Sequence, residues 1–331
     1  MTAQYDVAAI GNALLDVIAP ADEAFLAAEG LAKGAMTLID QDRADALYAR
    51  MGEAVKTSGG SAANTVAGVA SFGGRSAFVG KVASDALGDE YAREMRGIGA
   101  EFHAAPLVDG PSTGRCLISV TADGERTMST FLGAALHLTP ADVEPAVIES
   151  ASALYLEGYL FDPEEARRAF AKAAALSHGA GRTIAFSLSD AFVVERHRHA
   201  LLAFIDAEVD ILFANEVEVC SLFETDDFET AVSALRGRVE IAALTRGAKG
   251  SAVLSSAGDH LVAAAPVARV VDTTGAGDQY AAGFLFGFTA GRDLAACGAL
   301  GSLAASEVIS HYGPRPETSL RALAANARLL S

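Results

Sequence analysis

Asp272-Thr273-Thr274-Gly275-Ala276-Gly277-Asp278, followed at once by Gln279-Tyr280-Ala281-Ala282-Gly283-Phe284-Leu285, joins a small-residue loop to an apolar run of helical length. Such a junction opens a buried helix. With side chains this small, the amides of Gly275, Ala276 and Gly277 can approach a ligand closely, and the helix dipole adds about half a positive charge there. The result is an anion hole. Asp278 stands beside it, where a carboxylate can take a proton from a hydroxyl while the amides stabilise negative charge on a phosphoryl group. A plain turn followed by a helix-capping aspartate reads the same in isolation, so the rest of the chain has to discriminate.

Working outward, the chain from about residue 150 alternates β-rich runs with stretches of helical period. Leu154-Tyr155-Leu156-Glu157, Thr183-Ile184-Ala185-Phe186, Asp210-Ile211-Leu212-Phe213 and Ile241-Ala242-Ala243-Leu244 read as strands. The segments after Asp162, Asp190 and Glu216 read as helices, the first opened by Pro163. This alternation predicts an α/β fold with a mainly parallel sheet covered by helices. Ligands then bind beyond the carboxyl ends of the strands, near Glu157, Ser189, Asn215 and Gly247.

The first part of the chain differs. Arg115 to Thr121 and Arg126 to Phe131 flank Ala122-Asp123-Gly124-Glu125, a β-hairpin with an Asp-Gly turn. With the irregular segment after Leu15, which holds a helix over Asp22–Glu29, the hairpin predicts a small β-rich lid from about residues 15–42 and 103–132. No repeat, low-complexity tract or linker divides the chain, so one domain over 1–331 is expected.

The 331 residues are 51% apolar and 20% charged, enough to bury a large core. Forty-two acidic against 25 basic residues give a net charge of −17, a field that repels nucleic acid and anionic membrane. Neither is an expected partner, and an anionic ligand has to be held by local devices such as backbone amides, a metal ion or one placed arginine. The charge-free stretch from Gln279 to Gly291 is shorter than the ~20 apolar residues of a spanning helix. Met1-Thr2-Ala3-Gln4-Tyr5-Asp6 carries no secretory pattern, which predicts a cytoplasmic address. Cys116, Cys220 and Cys297 form no CxxC pair and read as reduced, mostly packed thiols.

DTTGAGD over 272–278 resembles the carboxyl-terminal signature of the ribokinase-like (PfkB) family of carbohydrate and nucleoside kinases. Gly59-Gly60-Ser61-Ala62-Ala63-Asn64-Thr65 resembles its amino-terminal signature. Gly11-Asn12-Ala13-Leu14-Leu15-Asp16, Asn215-Glu216-Val217-Glu218 and Thr245-Arg246-Gly247 follow in the family's order across nearly the whole chain. The ordered set is specific where each piece alone is weak.

The resemblance implies a role for each matching residue. Asp278 matches the catalytic base and Gly275 to Gly277 the anion hole. Asp16 matches the carboxylate that grips substrate hydroxyls, suited to a vicinal diol because two acceptor oxygens can meet two O–H donors. Asn12, Gly60, Ser61 and Asn64 match its neighbours. Asn215 and Glu218 match an element that supports magnesium, often through water. Thr245 and Gly247 match the border of the ATP site. Asp272 with Thr274 matches part of a monovalent-cation site, completed by carbonyls around Ser310 and Gly313. The match leaves the need for potassium open. Arg126, on the hairpin, is placed either to swing onto the transferring phosphate or to remain a solvated hairpin arginine.

Within the family, the strings at 11–16 and 59–61, and Ser187-Leu188-Ser189-Asp190-Ala191-Phe192, are similar to adenosine kinases. Ribokinases usually carry a lysine where this chain has Ser61. Glu157 departs from that branch, since ribokinases place a sugar-binding glutamate near there. It binds either a sugar hydroxyl or a neighbouring cation. Phe131, Tyr159 and Phe161 are candidate platforms for a purine.

The expectation is an ATP- and magnesium-dependent kinase of the primary hydroxyl of a ribonucleoside, adenosine first. A free-sugar kinase for ribose or fructose is the alternative, and a non-catalytic nucleoside-binding protein a second. A nicotinamide oxidoreductase finds no GxGxxG after the first strand. Relatives include both monomers and dimers paired through the lid, and the sequence does not choose between them.

Overall fold

The computed structural model describes residues 3–330. A nine-stranded sheet is built from β1 (Tyr5–Ile10), β5 (Ser76–Val79), β6 (Ala100–His103), β9 (Ala151–Glu157), β10 (Thr183–Ser187), β11 (Ile211–Asn215), β12 (Ile241–Thr245), β13 (Ser251–Ser255) and β14 (His260–Val262). Its order is β14-β13-β12-β11-β10-β9-β1-β5-β6. Every pair from β12 to β6 is parallel, and β13 and β14 close one edge antiparallel. The strands expected from local composition are present, each extended at one end or both where the ladder continues, and β11 begins at Ile211 rather than at Asp210.

Helices α1 (Glu23–Glu29), α2 (Gln41–Arg50), α3 (Ser61–Ser71), α4 (Ala86–Gly97), α5 (Pro145–Glu149), α6 (Glu164–Gly179), α7 (Ala191–Glu208), α8 (Glu216–Leu222), α9 (Phe228–Leu235), α10 (Ala276–Thr289), α11 (Leu294–Val308) and α12 (Leu320–Asn326) surround the two sheets. Because side chains alternate along a strand, Val7 and Ala9 of β1 face one core and Ala8 and Ile10 the other. The first core takes in α3, α4 and α10, and the second takes in α5 to α9. Part of the large acidic count caps helices: Asp22, Asp40, Asp85, Asp190, Asp227 and Asp293 each accept a backbone N–H at a helix start. Such caps contribute ~1 kcal/mol apiece.

A second sheet, ordered β3-β8-β7-β2-β4, comprises β2 (Leu14–Pro20), β3 (Met36–Leu38), β4 (Val55–Gly59), β7 (Gly114–Val120) and β8 (Arg126–Phe131). Strands β7 and β8 form the expected hairpin. Residues 55–59, outside the expected lid segments, pair with β2 in this sheet, whereas His103, at the start of the second expected segment, ends β6 in the large one. All three cysteines are free thiols, with Cys116 and Cys297 buried. No helix among the described residues is long and apolar enough to cross a membrane.

Candidate active site

A cleft of about 980 Å³ runs between the carboxyl ends of the parallel strands and the second sheet. At its centre α10 begins. Gly275 caps that helix at φ +77°, and a Cβ there would lie 2.7 Å from Pro314, so both conformation and space demand glycine. The amide of Ala276 closes a turn onto the Thr273 carbonyl at 3.2 Å, while those of Gly275, Gly277 and Asp278 have no backbone acceptor among the described residues. The amides left without a backbone acceptor at this helix start are therefore those of Gly275, Gly277 and Asp278, whereas the N–H of Ala276 is engaged.

Asp278 occupies the first turn of α10 and lines the cleft. Ser61 Oγ donates to its Oδ1 at 2.6 Å and Asn64 Nδ2 to its Oδ2 at 3.0 Å. Thr65 Oγ1 donates to its backbone carbonyl at 3.2 Å. All three partners come from α3, whose start is set by Gly60 at φ +99°, where a Cβ would overlap the Asn12 carbonyl. Burial raises the Asp278 pKa, opposed by the hydrogen bonds from Ser61 and Asn64 and by the positive charge of Arg315.

Asp16 faces the same cleft from β2. Its carboxyl packs on Gly59, where a Cβ would come within 2.7 Å. Burial pushes its pKa up to about 7, with Arg126 and Arg315 pulling the other way. Register fixes what surrounds it: Asp16 pairs with Cys116, Ile118 with Met128, and Cys116 with Thr130. Leu14, Cys116, Ile118, Met128 and Thr130 therefore share its face and line the cleft. Phe131 is one residue out of phase. It lies buried on the opposite face beside Arg115, with ring centroid and guanidinium carbon 5.8 Å apart, so it is not a platform for a base.

Glu157 also departs from expectation. It is fully buried, accepting from Asn12 N at 2.7 Å, Asn12 Nδ2 at 2.8 Å and Ala62 N at 2.7 Å. It ties the turn after β1 to the start of α3 and meets neither the cleft nor a cation. Gly11 makes the tie sterically feasible, since a Cβ there would sit 2.4 Å from the Glu157 carboxylate. Asn12 is consumed by the same tie and does not line the cleft. Phe161 is core, edge-on to Phe186 and Phe204, whereas Tyr159 does line the cleft and is 39% exposed.

The far end of the cleft is lined by Ser189, Asn215, Glu218, Thr245 and Gly247. Asn215 and Glu218 cap α8 reciprocally: Asn215 N and Nδ2 donate to the Glu218 carboxylate at 2.9 and 2.6 Å, and Glu218 N donates back to Asn215 Oδ1 at 2.8 Å. Burial pushes the Glu218 pKa up to about 7. Ser189, with φ +67°, holds a strained backbone at the edge of the cleft and accepts from Gly158 N at 2.8 Å.

Arg126 is buried rather than solvated. Its Nη1 meets Asp272 Oδ2 in an ion pair, and its Nε and Nη2 lack partners. The other donors to Asp272 are Thr274 N at 3.0 Å, Thr274 Oγ1 at 2.6 Å and Gly313 N at 3.0 Å. These four fill the acceptor positions of the carboxylate. In this arrangement the Asp272 side chain does not fit a potassium ion. The Ser310 hydroxyl donates to the Glu307 carbonyl at 2.6 Å. Magnesium fits differently. No group of three or more His, Cys, Asp or Glu side chains among the described residues forms a metal cage. Glu218 on the cleft wall is the donor type that holds magnesium through water beside phosphate oxygens.

Sequence reading missed several residues. Leu14, Ile118, Met128 and Thr130 become visible only through strand register. Gln279, fully buried, bridges α3 and the Pro314 segment by donating to Asn64 O at 2.9 Å and Pro314 O at 3.0 Å. Arg315, just beyond Gly313, was marked only by being basic in an otherwise uncharged turn.

Both halves of this cleft belong to one kind of protein, a kinase of small molecules. The chain belongs to the pfkB family of carbohydrate kinases, which it matches over residues 7–320, and its architecture is the ribokinase-like α/β fold of that family. Among solved structures, a probable sugar kinase from Rhizobium etli superposes with a TM-score of 0.92 at 46% identity, covering 99% of this chain and 100% of that one. An adenosine kinase from Sinorhizobium meliloti superposes with a TM-score of 0.90 at 50% identity, covering 98% and 100%. The adenosine kinase of Saccharomyces cerevisiae is 27% identical, covering 92% of this chain and 95% of its own length. The family implies ATP as phosphoryl donor, and the acceptor is a nucleoside or a sugar.

Proposed function

We propose that this chain transfers the γ-phosphoryl group of ATP to the primary 5′-hydroxyl of a ribonucleoside, adenosine first. The observation that carries the reading is the surface beside Asp16. Leu14, Cys116, Ile118 and Met128 give the acceptor end of the cleft an apolar wall. A free sugar presents a hydroxyl at nearly every carbon, and each would lose hydrogen bonds against that wall. A nucleoside offers its diol to Asp16 and an apolar face to the rest.

Asp278 takes the proton of the 5′-hydroxyl, and the freed oxygen forms its bond to the γ-phosphorus as the bond to the β–γ bridging oxygen breaks and ADP leaves. The amides of Gly275 and Gly277 stabilise the charge on the transferring group. Arg126, anchored on Asp272 by Nη1, has two further donor nitrogens, Nε and Nη2, to turn toward it. Asn215, Thr245 and Gly247 border the nucleotide, with Glu218 holding magnesium through water; the metal neutralises phosphate charge when bound. The second sheet acts as a lid that excludes competing water, and a lid-to-lid homodimer is one assembly it permits. A cytoplasmic address follows from the same reading.

A panel of adenosine, inosine, ribose and fructose at equal ATP tests the proposal. Preference for adenosine or inosine supports it. Preference for a free sugar, the reading favoured by the likeness to the Rhizobium etli protein, defeats it.

A further inference from the structure

Asn64 touches the base through an amide whose two ends are chemically opposite. Its Nδ2 donates to Asp278 Oδ2 at 3.0 Å, and its Oδ1 accepts from Arg315 Nε at 3.3 Å. An amide flip would set an oxygen against the Asp278 carboxylate and an N–H₂ against a guanidinium that can only donate, so both contacts would turn repulsive. Arg315 is itself held, its Nη2 donating to Met95 Sδ at 3.5 Å, while its charge faces Asp16 and Asp278. Its chain position is fixed by the two residues before it: Gly313 N donates to Asp272, and the Pro314 carbonyl accepts from Gln279.

We propose that Arg315 is a positioning residue for phosphoryl transfer, locking the Asn64 amide so that its N–H rather than its oxygen meets Asp278. The proposal rests on the reading of Asp278 as the base. It assigns to the segment after Gly313 a task separate from cation binding: keeping the base ionised and aimed.

The test is a double-mutant cycle on the full chain, with Arg315→Met, Asn64→Ala and the pair, measuring kcat and acceptor KM at saturating ATP. Arg315→Met is expected to lower kcat ~30-fold with KM within ~3-fold, and the double variant to be no slower than Asn64→Ala alone. Arg315→Lys, which keeps a donor and a charge, is expected to recover ~10-fold of the loss. Losses that simply add, or a lysine variant as impaired as the methionine one, would show that Arg315 only packs against Met95 and overturn the proposal.

Carbon-13 NMR titration of the Asp278 carboxyl reads the same coupling without turnover, so an inactive wild type would sink the kinase reading while leaving this one testable. Its midpoint is expected to rise in Arg315→Met and return toward wild type in Arg315→Lys. Asp16, Glu157, Glu218, Tyr155 and Tyr159 also face Asp278 and are not substituted in these variants. Asp16 also faces Arg315, so its own titration moves upward with Arg315→Met. An unmoved midpoint overturns the proposal.

Discussion

Arg126 of β8 and Asp272, 146 residues apart in the chain, form a buried ion pair that fastens the second sheet to the loop preceding α10. Their side chains are 8% and 7% exposed, so neither charge can fall back on water. In this arrangement the guanidinium is the cation that Asp272 faces.

Breaking the pair from one side strands a buried charge. Asp272→Ala is expected to lower the unfolding free energy by ~3 kcal/mol, read by urea titration, because Arg126 then loses its paired carboxylate. Arg126→Met is expected to lower kcat by ~10² in steady-state assays, since the site loses its local positive charge.

Exchanging potassium for a bulky organic cation is expected to leave kcat within ~3-fold, since all four acceptor positions of Asp272 are already filled. A loss of activity that potassium alone restores would show that Arg126 vacates Asp272 during turnover.

Asp278→Asn keeps shape but cannot accept a proton. A fall in kcat of at least ~10² with acceptor affinity largely intact is expected, measured by coupled ADP release and by equilibrium binding. Near-normal turnover would remove Asp278 from the mechanism.

The raised pKa of Asp16 sets a pH dependence with a definite sign. The folded protein keeps this proton up to about 7, whereas the unfolded chain releases it near the ordinary value of 3.8. Ionisation of Asp16 therefore withdraws stability as pH rises through that window. Asp16→Asn is expected to be more stable than wild type at about pH 8 and to lose that advantage by about pH 4, read by urea unfolding. Nucleoside affinity of the wild type is expected to fall on the acid side of about 7, where the diol loses its charged acceptor, and to be weak and pH-independent in the variant.

Glu157→Ala separates a structural role from a substrate-binding one. Three donors, two from Asn12 and one from Ala62, would be left buried without an acceptor. The expected loss is at least ~3 kcal/mol in urea unfolding. A variant of unchanged stability that lost only sugar binding would restore Glu157 to the site.

The helix start at 275–278 that lines the cleft was legible because it lies within one heptapeptide, where small residues and an aspartate leave little to distant partners. The same held for β9 to β12, whose apolar runs report burial on both faces. Phe131 was misread because a strand shows one face or the other according to pairing register. Tyr155, Glu157 and Tyr159 stand two residues apart in sequence, yet the first two are buried and the third lines the cleft, because the strand ends at Glu157 and the chain turns. Arg315 carried only its charge as a local mark, since its meaning lies in Asn64, 251 residues away.

What the amino-acid order determined alone was the α/β alternation and the chemistry of the helix start at 275–278, both consequences of composition within a few residues. Only the tertiary structure decided which carboxylates are free to meet a ligand. Asp16 and Asp278 line the cleft, while Glu157 is buried on donors from Asn12 and Ala62 and Asp272 is held by Thr274, Gly313 and Arg126. A charged oxygen is available or spent according to what burial brings against it, and that is a property of long-range packing.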